Sequence, residues 1–209
     1  MSPAALFLYD DDMVELVNMS GQFYSTEHVG IHKSEAVANI IKKFSTAENI
    51  LAIPHKFTEN TEPGSIMICG FDSMSARKTF FERWKNRVLC MPEEEREKCL
   101  YIDGRLSMDT LQVLCIRGDD TFSMDRYANE FLFSDEDADA TVCSMKQTTY
   151  LACMIGSFIT NLFTNFVANM CDPVLPYDLP FFTEYDAQNM IFKTKIARSE
   201  ERRVGKECR

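Results

Sequence analysis

Apolar residues along the chain fall into short runs that alternate with segments of helical period. AALFLY (4–9), NILAIP (49–54), SIMICG (65–70), LYID (100–103) and LQVLCIRG (111–118) read as buried strands. Between them, KSEAVANIIKKF (33–44) and SMSARKTFFERWKNRVL (73–89) carry apolar positions three and four apart and read as amphipathic helices, the second with Ser73 as its N-cap. PFFTEYD and MIFKTKI bracket an Ala-Gln-Asn turn and read as a C-terminal hairpin. Strand–helix alternation of this kind predicts a mainly parallel sheet wrapped by helices, with ligands at the carboxyl ends of the strands.

One segment imitates a membrane span, because Gln147 to Cys171 carries no charge and is long enough to cross a bilayer. Its polar residues argue otherwise. Asn161, Asn165 and Asn169 recur every four residues, giving one polar stripe opposite an apolar face of Leu151, Phe158, Leu162 and Phe166. The expectation is a buried or half-buried helix of a cytoplasmic protein, with no membrane partner.

At 209 residues the chain has room for one domain with a sizeable core. Its formal charge is −10, from 22 basic and 32 acidic residues, which disfavours non-specific binding to nucleic acid or an anionic membrane. Eight cysteines without a CxxC pair or signal peptide read as reduced thiols, and three histidines (28, 32, 55) lack ligand spacing for structural zinc. The final segment RSEERRVGKECR (198–209) breaks abruptly from the preceding strand pattern and reads as adapter-derived translation, leaving 1–197 as the expected domain. AALFLY starts without a preceding element, so a first strand and its Gly-rich loop are expected to be missing.

The acidic run DDD directly after AALFLY gains meaning from this order. A carboxylate at a strand end beside the first crossover can accept both hydroxyl hydrogens of a nucleotide ribose. Asp10-x-Asp12-x-Val14-Glu15-x-x-Asn18-x-x-x-Gln22 is followed by Gly30-x-x-Lys33 and then by Cys69-Gly70-x-Asp72-x-x-x-x-Arg77. With these spacings the chain, from Ala4 to Asn169, resembles the ThiF/MoeB/HesA family of ATP-dependent activating enzymes. The resemblance implies a Rossmann-like fold and adenylation of the C-terminus of a ubiquitin-like or sulfur-carrier protein of β-grasp type, with ATP and magnesium as cofactors and a homodimeric enzyme.

The resemblance also assigns roles. Asp10 would hold the ribose, with Asp12 orienting either ligand or backbone. Lys33 would neutralise phosphate oxygens, Asn18 and Gln22 would line the phosphate region, and Asp72 would bind magnesium. Cys143, in the loop before the long helix, matches a thiol that some members use covalently, and Arg105 is a candidate for holding the incoming carboxylate. Each has a plainer reading: Lys33 as a first-turn helix residue, Asp72 as an N-cap, Cys143 as a packed thiol, and Arg77 as an ion-pair partner. Gly21 departs from the pattern, standing where the family usually carries arginine. Two other classes stay open: a non-catalytic interaction module of the same fold, and an NAD-dependent oxidoreductase that uses Asp10 but leaves Lys33 and Asp72 idle.

Overall fold

The computed structural model describes residues 5–134, 149–172, 174 and 176–195. Two compact units make up the chain, Met1–Thr58 and Glu59–Arg209, and each is described by itself.

The first unit is a β-α-β crossover. Strand β1 (Leu6–Tyr9) and strand β2 (Ile50–Ile53) pair in parallel, Leu6 opposite Ile50. Helix α1 (Lys33–Phe44) connects them, burying Ser34, Ala36 and Ala38. Two short 3-10 turns, Leu16–Ser20 and Thr26–His28, lie between β1 and α1. An antiparallel bridge from Met13 to His32 returns the chain to the end of β1 before the helix begins.

The second unit holds a five-stranded sheet in sequential order: β3 (Ile66–Cys69), β4 (Leu100–Leu106), β5 (Thr110–Arg117), β6 (Phe182–Asp186) and β7 (Ile191–Lys195). Only β3 and β4 pair in parallel there, and the remaining neighbours are antiparallel. The expected mainly parallel sheet is therefore corrected to a mixed one. The reason is the connection between β4 and β5. A parallel return needs a crossover of about a dozen residues, whereas Ser107, Met108 and Asp109 alone separate these strands, closed by hydrogen bonds between Ser107 and Thr110. The C-terminal hairpin forms as read, with Asp186 accepting from the Gln188 and Asn189 amides at its turn.

Helices cover both faces of the central strands. Helix α2 (Met74–Leu89) is capped by Ser73, whose Oγ accepts from the Ala76 amide. It buries Arg77, Phe80, Phe81, Trp84 and Val88, one stripe at helical spacing. Trp84 packs on Phe81 and Tyr101, and its Nε1 donates to the Ser65 carbonyl at 3.0 Å. A four-residue turn of helix, α3 (Glu93–Arg96), follows, and α4 (Thr121–Glu130) adds Met124 and Tyr127 to the core. Over the other face lies α5 (Thr149–Cys171), with Leu151, Ile155, Leu162 and Phe166 packed against Leu100, Ile102, Val113 and Cys115.

The length and mean hydropathy of α5, 1.5, would suit a membrane span. Its apolar stripe is nonetheless committed to the sheet. Phe158 packs at the edge of this stripe against Phe192, with ring centroids 5.4 Å apart. On the polar side Asn169 accepts from the Tyr177 amide and donates to its carbonyl, pinning the chain that leaves the helix.

Candidate functional site

At the carboxyl end of β1 the chain turns sharply. Asp10 Oδ1 accepts from the Asp12 amide at 2.9 Å, an Asx turn, and the Lys33 amide donates to the Asp12 carbonyl at 2.8 Å. The first residue of α1 thus sits directly beside the acidic run. Its ammonium lies 2.6 Å from Asp12 Oδ2, and the lysine side chain is only 15% exposed. A cation at a helix N-terminus opposes the helix dipole, so the carboxylate offsets an unfavourable placement. Removal from water raises the Asp10 carboxyl above its usual range, against the lowering effect of the Asp12 amide and the Lys33 charge. Burial, with the Asp10 and Asp12 carboxylates adding to it, pushes the nearby Tyr24 phenol up to about 12.

Asn18 has a local job. Its Oδ1 accepts from the Glu15 amide at 2.8 Å, closing a reciprocal capping arrangement at the first 3-10 turn. The Gly21 and Gln22 amides both donate to the Asn18 carbonyl, so this one residue shapes the whole Asn18–Gln22 turn. In the first unit, then, the predicted residues Asp10, Asp12 and Lys33 gather at one strand end, and Asn18 and Gln22 share the turn between β1 and α1.

In the second unit, Asp72 lies on an exposed loop between β3 and α2. Ser73 takes the capping role that Asp72 was one reading away from filling. A methyl group added at Gly70 would meet nothing within 4 Å, so the space over this strand end is open. Such openness lets a ligand approach the backbone.

Behind that loop lies a cluster which spacing alone did not show. Asp103, wholly buried, is the register partner of Cys69 and accepts from Arg77, from Arg105 Nε at 2.7 Å and from the Tyr127 hydroxyl at 2.9 Å. Arg77 forms the ion pair anticipated for it, and it also donates to the Phe71 carbonyl. The far side of the Arg105 guanidinium is taken by the Phe131 carbonyl at 2.9 Å. Burial, with Asp103 adding to it, pushes the Cys69 thiol up to about 12. One sequence signal could have found part of this: Asp103 and Arg105, two apart on a strand, share a face. Cys143 and the acidic residues before it lie outside the described residues. A cavity of about 440 Å³ lined by Arg83, Arg87 and Cys90 lies toward the C-terminal end of α2, the opposite end from Asp72.

Among solved structures the chain is similar to PaaA, at 15% identity and a TM-score of 0.59 over 92% of this chain and 56% of that one. It is likewise similar to E. coli MccB crystallised with ATP, at 14% identity and a TM-score of 0.58 over 93% of this chain and 56% of MccB. MccB with MccA-N7isoASN gives 12% identity and a TM-score of 0.57 over 91% of this chain and 56% of MccB. The likeness is one of fold, which in these neighbours is Rossmann-like and E1-like. The chain spans just over half the length of these structures. No protein-family model matches the sequence, and no curated protein does.

Proposed function

We propose that the protein is an ATP-dependent adenylating enzyme of ThiF type, acting in the cytoplasm as a homodimer on the C-terminal carboxylate of a small ubiquitin-like or sulfur-carrier protein. The observation that carries this reading is the pairing of Lys33 with Asp12 beside Asp10 at the end of β1. It occurs in a fold shared with a protein crystallised with ATP. In the reaction an oxygen of the partner's carboxylate bonds to the α-phosphorus of ATP and pyrophosphate leaves. The nucleophile comes with the substrate, so the protein's work is to position reactants and stabilise charge.

Each residue then has a task. Asp10 accepts the ribose hydroxyls, and desolvation of its carboxyl is the cost of presenting an acceptor at that strand end. Lys33 turns its ammonium to phosphate oxygens, with Asp12 holding it in place beforehand. Asn18 and Gln22 line the phosphate region. Asp72 fits magnesium: it is a single exposed carboxylate freed from capping by Ser73, and this ion is commonly held by one carboxylate with waters and phosphate oxygens. Bound there, the ion would neutralise charge on the departing pyrophosphate. Arg105 would hold the incoming carboxylate only by giving up its bond to the Phe131 carbonyl, and Cys143 receives the activated partner.

A non-catalytic module of the same fold is the second reading. Gly21, in place of a cationic fork, and the commitment of Lys33 to Asp12 favour it. Exchange of labelled pyrophosphate into ATP, with magnesium and the Gly-terminated partner present, separates the two. The enzyme reading expects exchange that Asp72→Ala and Lys33→Ala each abolish. Wild-type exchange in both variants would remove these residues from the site. No exchange by the unaltered protein would favour the module.

A further inference from the structure

The Arg77 guanidinium reaches two backbone carbonyls, of Phe71 and Gly104, and two side chains, of Asp103 and Cys69. Its side chain is 7% exposed. One nitrogen donates to Asp103 and, at 3.3 Å, to the Gly104 carbonyl on β4, and it lies 3.8 Å from Cys69 Sγ at the end of β3. The other donates to the Phe71 carbonyl in the loop and to Gly104. Asp103 is fixed in turn by Arg105 and Tyr127.

A buried ion pair is a poor way to gain stability. Taking both charges out of water costs several kcal/mol per ion, and apolar residues of similar volume often do as well. The α2 stripe around Arg77 is otherwise aromatic and well packed, with Phe80, Phe81 and Trp84. What the guanidinium adds, and an apolar side chain could not, is a planar fork that ties the Phe71 carbonyl to β4. Phe71 is also held through its ring, edge-on to Phe80 at 5.2 Å. The residue before Asp72 is therefore anchored at both backbone and side chain, while Asp72 itself is exposed.

We infer that Asp103 and Arg77 are positioning residues: their buried pair fixes the Phe71 backbone and so aims the Asp72 carboxylate. The inference rests on the reading of Asp72 as a magnesium contact, and its first test does not depend on that reading. Arg77→Lys keeps the charge but cannot reach Asp103 and Phe71 together. In the unliganded full chain, hydrogen exchange of the Gly70–Ser73 amides should accelerate about tenfold in this variant while the Leu100–Leu106 amides stay protected. Tyr127→Phe, which removes one Asp103 hydrogen bond without touching the loop, should leave the loop amides at their original rate. Asp103→Asn, close in shape to the original, is the second variant and should loosen the loop as Arg77→Lys does.

In the pyrophosphate exchange assay, Arg77→Lys should raise the magnesium concentration for half-maximal rate by about tenfold, as expected when a ligand is held off its productive position. Excess magnesium should restore most of the rate, which a loss of folding would not allow. Unchanged loop exchange in both variants, or uniform acceleration throughout the second unit, would overturn the inference. Accelerated loop exchange together with full activity of Asp72→Ala would keep the strut and discard the role of Asp72.

Discussion

Among the described residues of the first unit, Lys33 and Asp12 form the shortest cation–carboxylate contact, 2.6 Å between Nζ and Oδ2, with the lysine largely covered and the aspartate open to water. The asymmetry decides which partner is expendable. Lys33→Ala should abolish pyrophosphate exchange, whereas Asp12→Asn should lower it by only about tenfold, since positioning of a cation is worth roughly 1–2 kcal/mol at a partly exposed site. Steady-state rates at saturating ATP check the contrast, and equal losses in the two variants would make the pair a unit rather than a tool and its holder.

Asp10 carries a cost that acid should relieve. Its folded carboxyl titrates above the ordinary value of 3.8, mainly because of burial, so the folded state holds the proton more tightly than the unfolded chain does. Stability is then highest below that ordinary value and falls as pH rises through the folded value. Asp10→Asn retains an acceptor for the Asp12 amide and should melt higher than the original protein at neutral pH, with the gap closing toward about pH 4. Thermal unfolding followed by far-UV circular dichroism gives the comparison.

Two glycines should respond in opposite ways. A Cβ at Gly118 would collide with the Arg96 carbonyl and stand 2.6 Å from Cys99 Cβ. Gly118→Ala should therefore cost about 1–3 kcal/mol in chemical denaturation. Gly70→Ala meets open space and should change stability by less than about 0.5 kcal/mol. If a nucleotide approaches that strand end, the same substitution should weaken ATP binding, read by calorimetry.

Thiol chemistry should sort by burial. Burial pushes the Cys69 and Cys115 thiols each up to about 12, leaving almost no thiolate at neutral pH, while Cys90 and Cys171 are exposed. Iodoacetamide on the native protein should label Cys90 and Cys171 and spare Cys69 and Cys115 until denaturant is added, with peptide mass spectrometry locating the label.

Much of this was legible in the residues. Strands β1, β2 and β3 and helices α1 and α2 announce themselves through apolar runs and spacing, and the Ser73 cap sits where its hydroxyl predicts. Helix α4 was missed because its buried positions, Met124 and Tyr127, are diluted by polar neighbours; the signal was Asp120, whose side chain accepts from the Ser123 amide as an N-cap. LYID was ended at Asp103, three residues short of the true strand, yet even the seven residues 104–110 left by that reading are too few for a parallel crossover, so the antiparallel turn was legible in the spacing. The partner of Arg77 lies 26 residues away, and no local pattern carries such a contact.

Trp84 is the sole tryptophan of the chain, and it is wholly buried with its indole nitrogen bonded to Ser65. The partners that surround it, Ser65, Phe81 and Tyr101, all belong to the Glu59–Arg209 unit. Indole fluorescence is consequently a built-in reporter of that pocket. A transition seen by backbone dichroism without a change in emission would leave the Trp84 pocket intact, so loss of this core can be told from other unfolding in a single sample without attaching a dye.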